Sequence, residues 1–403
     1  MSVEMPGRSH STIENFLLSR EALQARRNAK WSQYEADVIP AYVADMDVRV
    51  APEVQAAIRA SVDIADYGYP MRNGNKVDYA VAEAYSRRMS RLYGWQAEPE
   101  LAVPLSDLVQ ATYAAVMAFS DAGDGIIVQV PNYPPFKAAA LDTGRRFVPL
   151  HMIDDGKRHV FDLGELESRM SPDVKVFVLC NPQNPTGRVF ERDELEAILA
   201  FAEKHNLIVL SDEIHSDLVH DGNRHIPFAA LGAEAACRTV TLNSATKSFN
   251  IPGLRTAVMH FASPELMDRF RKRFPSRIMG SVNALGADAT VAAWDHGDAW
   301  LRSIVTHLGA MRDRLILRLN SAIPSIRFYR PEATYLAWLD CSALGIEGTA
   351  FDFFHRQARV AFSPGENFSP GAEKFVRLNF ATSEVILDEI IDRMIAALKS
   401  NQR

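Results

Sequence analysis

The segment VLSDEIHSDLVHDGNRH, Val209–His225, gathers Asp212, Glu213, His215, Asp217, His220, Asp221 and His225 within seventeen residues. Carboxylates and imidazoles at this density are the ligand types of a zinc site, and equally the types that hold or move protons. A second segment, NSATKSFNIPGLR, places Lys247 three residues after Ser244 and eight before Arg255. A lysine at a desolvated strand end loses basicity, because burial and positive neighbours penalise its charged form, and the free amine can then form a Schiff base. A hydroxyl and a guanidinium flanking it are groups that hold a phosphate dianion.

Both segments begin in runs that read as buried strands. DGIIVQVP (Asp124–Pro131), VKVFVLCNP (Val174–Pro182), NLIVLSDE (Asn206–Glu213) and RTVTLNSA (Arg238–Ala245) are short, rich in β-branched residues and apolar on both faces. Between them, RDELEAILAFAEKH (Arg192–His205) has helical apolar spacing, acids at its start and Lys and His at its end. Strands buried on both faces and separated by helices predict an α/β domain with a largely parallel sheet. The runs end in PNY, NPQNPTG, SDEIH and NSATK. In open α/β sheets ligands bind beyond the carboxyl ends of the strands, so these endings predict one active-site rim. Further along, HGDAWLRSIVTHLGAMRDRLILRLNSAI predicts a long helix, ATYLAWLD and KFVRLNFA predict strands, and SEVILDEIIDRMIAALKS an amphipathic helix. The expected division is a large domain over 53–290 and a smaller α+β domain built from both termini, 1–52 with 291–403.

NSATKSFNIPGLR resembles the cofactor-lysine segment of fold-type I enzymes that use pyridoxal 5′-phosphate (PLP), the aminotransferase class I/II superfamily. The resemblance continues in order from about Asn28 to the C-terminal helix. It implies a mostly parallel sheet of seven-stranded type between helices, with Lys247 forming the Schiff base and Ser244 and Arg255 binding the cofactor phosphate. NPQNPTG is similar to the family's loop whose second asparagine, here Asn184, bonds the cofactor's phenolic oxygen and borders the substrate. Asp212 falls where the family places the partner of the pyridine nitrogen; an anion there keeps the ring protonated and able to accept electrons. Tyr133 in PNYPPF matches the aromatic that stacks on the ring. PLSDLVQATYAAVMAF matches the helix whose N-terminus receives the phosphate, with Asp107, Leu108 and Val109 at the matching positions and Asp107 also suited to an N-cap. Arg377 in KFVRLNFA matches the arginine that grips the substrate α-carboxylate. Tyr69 in YGYP, with Tyr67 as the neighbouring alternative, would reach the phosphate of the other subunit in a homodimer with active sites at the subunit interface.

His215 stands three residues after Asp212, where related aminotransferases carry a tyrosine. SDEIHSD, the VADMD run within Arg26–Val48, and TYLAWLD are similar to the cystathionine β-lyase and cysteine-S-conjugate β-lyase branch. That likeness implies His215 beside the cofactor, the Ala44 backbone along the substrate carboxylate pocket and Tyr42 toward the side-chain pocket. The implied reaction is β-elimination from a sulfur-containing amino acid to pyruvate, ammonia and a thiol, with Lys247, Asp212 and Tyr133 as the catalytic set. Arg255 points toward transamination, the alternative, because lyases of this branch often lack that arginine. Glu213, Asp217, His220, Asp221 and His225 are expected on a solvated loop, with no metal. A zinc hydrolase and a regulatory binding protein on the same scaffold are further alternatives.

The chain has 403 residues, 47% hydrophobic and 23% charged, which suits a globular protein of two lobes. A net charge of -6 gives no footprint for nucleic acid or an anionic membrane, so the expected partner is a small molecule rather than a polyanion, which the resemblance makes an amino acid. Three widely spaced cysteines argue against a disulfide framework. With no signal-peptide pattern and no long apolar run, the expected location is cytoplasmic.

Overall fold

The computed structural model describes residues 13–401, apart from Asn73 and Asp221. Its central sheet has eight strands: β1 (Ala102–Leu105), β2 (Gly125–Val130), β3 (Arg146–Asp154), β4 (His159–Phe161), β5 (Val174–Cys180), β6 (Ile208–Asp212), β7 (Thr239–Asn243) and β8 (Ala257–Phe261). Their spatial order is β1-β8-β7-β6-β5-β2-β3-β4. The inner pairs β7–β6, β6–β5, β5–β2 and β2–β3 are parallel, whereas β8 runs antiparallel to both β7 and β1. The sheet is one strand wider than the seven expected. Strand β3 outruns β2, whose last partner is His151, and its residues Met152–Asp154 pair with β4, which returns antiparallel against them.

The inner strands are buried at every or nearly every position, which is why they read as continuous apolar runs rather than alternating ones. Helices cover both faces. Among them are α1 (Val77–Tyr93), α2 (Leu108–Phe119) and α3 (Arg192–Lys204). Helix α3 starts in a reciprocal capping box between Glu191 and Glu194, and Lys204 sits in its last turn against the helix dipole. Next come α4 (Ala284–His296) and α5 (Asp298–Ala322). Alanine and glycine dominate the buried face of α4, so it approaches its neighbours closely; a Cβ on Gly286 would lie 2.3 Å from the Leu254 carbonyl oxygen. That contact seats the loop carrying Arg255.

A second, antiparallel sheet holds β9 (Leu336–Asp340), β10 (Ser363–Pro364) and β11 (Phe375–Asn379), in the order β9-β11-β10. Helices α5 and α6 (Glu384–Asn401) share one hydrophobic core with it. The strand Ile39–Pro40 pairs parallel with Val360–Ala361, which ties an early segment of the chain to the carboxyl-terminal lobe. We propose the large and small domains on this basis, with the joint at Gly297 between α4 and α5, since a cut at 290 would fall inside α4. Among the described residues no helix is long and apolar enough to cross a membrane.

Candidate active site

The carboxyl ends of β2, β5, β6 and β7 open onto one cavity of about 520 Å³. Its lining includes Ala44, Leu108, Val109, Tyr133, Asn184, Asp212, His215, Ser244, Lys247, Arg255 and Arg377. These residues and Asp107, all singled out in the sequence, thus meet at one place; Tyr42, Tyr67 and Tyr69 stand apart.

Lys247 follows the short turn after β7, where Ser244 caps residues Ala245–Ser248. Its Nζ donates to the Ala44 carbonyl at 2.9 Å, and the Tyr335 hydroxyl donates to the same oxygen at 2.9 Å. Burial lowers the basicity of the Lys247 amine, and nearby Arg377 adds to that, against Asp45 and Asp212. Asp212 ends β6 with its side chain buried. Burial pushes its carboxyl up to about 7, partly offset by the Ile214 N–H that donates to Oδ1 at 3.1 Å. His215 is held neutral: burial, then Lys247 and Arg377, depress it to about 3, and its Nδ1 is buried with no partner among the described residues.

One end of the cavity collects anion-binding groups. Asp107 is the N-cap of α2 and accepts from the Gln110 N–H at 2.8 Å, leaving the earlier N–H groups of Leu108 and Val109 free for a ligand at the helix start. Ser244 Oγ donates to the Thr256 carbonyl at 2.7 Å and lies 2.8 Å from Thr246 Oγ1. Arg255, at φ +51°, turns its guanidinium onto Asp107. Opposite, Arg377 is buried and donates to Asn184 Oδ1 at 2.9 Å and Ser363 Oγ at 3.0 Å, with its carbon 4.7 Å from the Phe368 ring centre. Burial lowers it to about 10, and its Nε has no partner among the described residues. Tyr133, immediately before the helix Pro134–Asp142, forms a wall edge-on to Phe136.

These residues fit PLP. A phosphate site, an amine of lowered basicity, a buried carboxylate and an aromatic wall border one space. The unmatched Arg377 Nε and His215 Nδ1 are buried polar atoms that a polar ligand would satisfy.

Tyr69 is fully exposed and Tyr67 largely so, both away from this chain's cavity. Tyr42 turns its hydroxyl onto the Ala29 carbonyl and Gln33 Oε1. The solvated loop expected after His215 is corrected by the structure. Glu213, His220 and His225 are buried, and Asp217 is packed against buried Arg88 at 2.9 Å. Each found a partner inside: His225 Nε2 lies 3.0 Å from Glu213, and His220 Nε2 lies 2.7 Å from the Thr334 carbonyl. Asp221 lies outside the described residues. Among the described residues, no group of three or more His, Cys, Asp or Glu is arranged to hold a metal ion.

Sequence reasoning passed over Tyr335, Thr246, Thr256 and Cys180. Cys180 and Tyr335 sit in apolar strand runs that look like core, and no spacing marks them out. Thr246 belongs to the same NSATK turn as Ser244 and could have been grouped with it, whereas Thr256 follows Arg255, twelve residues on from Ser244.

The model of the family described as aminotransferase class I and II matches residues 47–394. The chain belongs to this family. Cystathionine beta-lyase PatB of Bacillus subtilis is 31% identical over 94% of the chain and 98% of its own length. The crystal structure of OvoB shares 38% identity and a TM-score of 0.87, covering 93% of this chain and 97% of that one. The PLP-bound C-S lyase of Staphylococcus hominis shares 27% identity and a TM-score of 0.87 over 96% and 99%. As a class I and II member, the chain has the mixed α/β fold built on a large, mostly parallel sheet that its sequence predicted.

Proposed function

We propose that this protein is a PLP-dependent C–S β-lyase that cleaves a sulfur-containing amino acid, such as cystathionine or a cysteine conjugate, to pyruvate, ammonia and a thiol. The carrying observation is the half-buried Lys247, its amine facing one cavity with Asp212 and an Arg377 that has no carboxylate partner among the described residues. PLP, when bound, supplies an aldehyde that condenses with amines and a ring that accepts the electron pair left at the substrate's α-carbon. Lys247 would hold the cofactor through its Nζ and Asp212 its ring nitrogen. Ser244, Arg255 and the start of α2 would hold the phosphate and Asn184 the phenolic oxygen, with His215 and the aromatic Tyr133 lining the same cavity.

Arg377 and the Asn184 side chain orient the substrate carboxylate, with the Ala44 backbone beside them. The displaced Lys247 amine then takes the α-proton, and the Ala44 carbonyl is an acceptor within reach of that amine. Loss of the sulfur from Cβ follows when the side chain carries a thiolate leaving group. Relatives named as cystathionine beta-lyase and C-S lyase support elimination over most of the chain's length. Arg255 supports transamination as a second reading.

Tyr42 remains proposed as a side-chain-pocket residue. We also propose a homodimer in which Tyr69 reaches the partner's phosphate. Exposed Ile64, Tyr67, Tyr69 and Met71 form the apolar stretch such an interface would cover. The free thiols Cys180, Cys237 and Cys341 suit the reducing cytoplasm. The deciding assay mixes PLP-loaded protein with cystathionine and no 2-oxo acid. Pyruvate and thiol release supports the lyase; product formed only with a 2-oxo acid acceptor overturns it in favour of transamination.

A further inference from the structure

Directly behind Asp212, on the opposite face of the sheet, lies a buried acid–imidazole pair. Successive side chains at a strand end point to opposite faces, so Asp212 meets the cavity while Ser211 and Glu213 turn away from it. Glu213 is fully buried and takes three donors. Ser211 Oγ donates to Oε1 at 2.9 Å, the Phe228 N–H donates to Oε1 at 3.0 Å, and His225 Nε2 lies 3.0 Å from Oε2. His225 Nδ1 has no partner among the described residues, and the Tyr93 ring packs edge-on against the imidazole at 5.4 Å. A carboxylate buried this deeply is costly unless it performs a task or is fully compensated, and three donors provide the compensation.

We propose that Glu213, with His225 as its donor, is a positioning residue for Asp212: its buried negative charge keeps a proton at the junction of Asp212 and the cofactor's ring nitrogen. The proposal rests on the PLP reading above. A negative charge behind Asp212 makes any proton shared there harder to remove. Glu213 is indeed among the groups that raise the Asp212 carboxyl. On the cavity side Asp212 is faced by Lys247 from the β7 turn, Cys180 from β5 and Tyr133 from the loop after β2. On the far side Glu213 is faced by His225 and by Tyr85 and Tyr93 of α1, with the Arg88–Asp217 pair next to Tyr93. His225 provides the side-chain N–H that lets the Glu213 charge persist where water does not reach.

Glu213→Gln removes the charge and keeps the shape. Its oxygen can still accept from Ser211 and Phe228, and its amide can donate to His225 Nε2 once the ring proton moves to the unpartnered Nδ1. The experiment binds PLP labelled with nitrogen-15 in its ring to the full chain and follows the ring nitrogen by NMR against pH. In Glu213→Gln the midpoint for proton loss is expected to fall by at least about half a pH unit. His225→Leu, which strips the side-chain donor that compensates the buried carboxylate, is expected to fall with it. His225→Gln, which keeps an N–H toward Glu213, is expected to stay near the unaltered protein. An unmoved or raised midpoint in Glu213→Gln overturns the proposal whatever happens to the melting temperature, and reduces the pair to a support for the loop. Absence of a visible band when PLP is added to the unaltered protein would instead overturn the cofactor reading, and this proposal with it.

Discussion

Arg377 donates to the side-chain oxygen of Asn184 at 2.9 Å across the junction of the two sheets, joining β11 to the loop after β5. The pair leaves the guanidinium oriented but without a counter-charge, and burial has already lowered its basicity to about 10. A substrate carboxylate would supply the missing charge. Arg377→Ala is therefore expected to cut kcat/KM by about 10²–10³, the range for removing one partner of a buried charged pair, mainly through KM. Arg377→Lys should recover only part of the loss, since an ammonium cannot make the bidentate contact. Steady-state kinetics with an amino acid and its amide check this. An equal loss for both substrates would sink the assignment.

Lys247 shares the Ala44 carbonyl with Tyr335, so its amine has a defined resting place when it is not bonded to cofactor. Lys247→Ala should bind PLP without the visible absorption of a lysine-bound cofactor, and turnover should fall by roughly 10³ or more. Lys247→Arg should do no better, because guanidinium neither condenses with the aldehyde nor accepts the proton. Retained absorption in Lys247→Ala would mean that another amine holds the cofactor.

Much of this site was legible because the chemistry sits at strand ends, where polar residues interrupt long apolar runs. Asp212, Asn184 and Lys247 are each the first or nearly the first chemically active group after a buried strand. Strands β1, β3, β4 and β8 were not read from the sequence. β1 is four residues long with a proline inside it, β3 carries Pro149, and β4 is a three-residue hairpin arm, so none makes an uninterrupted β-branched run. The burial of Glu213, His220 and His225 was missed for a different reason. Local composition marks them as polar; Glu213 and His225 pair with each other inside the segment, while Thr334 and the α1 side chains that enclose it come from distant parts of the chain.

Asp107 does two jobs with opposite consequences for an anion. It caps α2 and it pairs with Arg255, placing a negative charge where a phosphate would bind. Asp107→Ser keeps a good N-cap and removes the charge. The cofactor-free variant is expected to bind PLP several-fold more tightly, while Asp107→Ala, which loses the cap, should give up about 1 kcal/mol of stability. Fluorescence titration with PLP and urea unfolding measure the two effects separately. Weaker binding by Asp107→Ser would show that Asp107 holds Arg255 in its productive place rather than competing for it.

His260 on β8 is buried between Tyr85 and Trp95, and its Nε2 donates to the Glu98 carbonyl at 3.1 Å. Burial depresses it to about 4, only partly offset by that bond. A histidine depressed in the folded state takes up its proton first in the unfolded chain. Its contribution to stability is therefore complete above its unfolded value of about 6.5 and is lost as pH falls through the interval down to about 4. The loss attributable to His260 has an upper bound of about 3 kcal/mol. His215, depressed further, adds to the same acid limb. His260→Gln can keep a donor toward Glu98 without a proton to gain, so its unfolding free energy should fall less steeply than that of the unaltered protein between about pH 6.5 and 4. Urea unfolding across that range is the measurement, and parallel curves for the two proteins would rule out His260 as a source of the acid sensitivity.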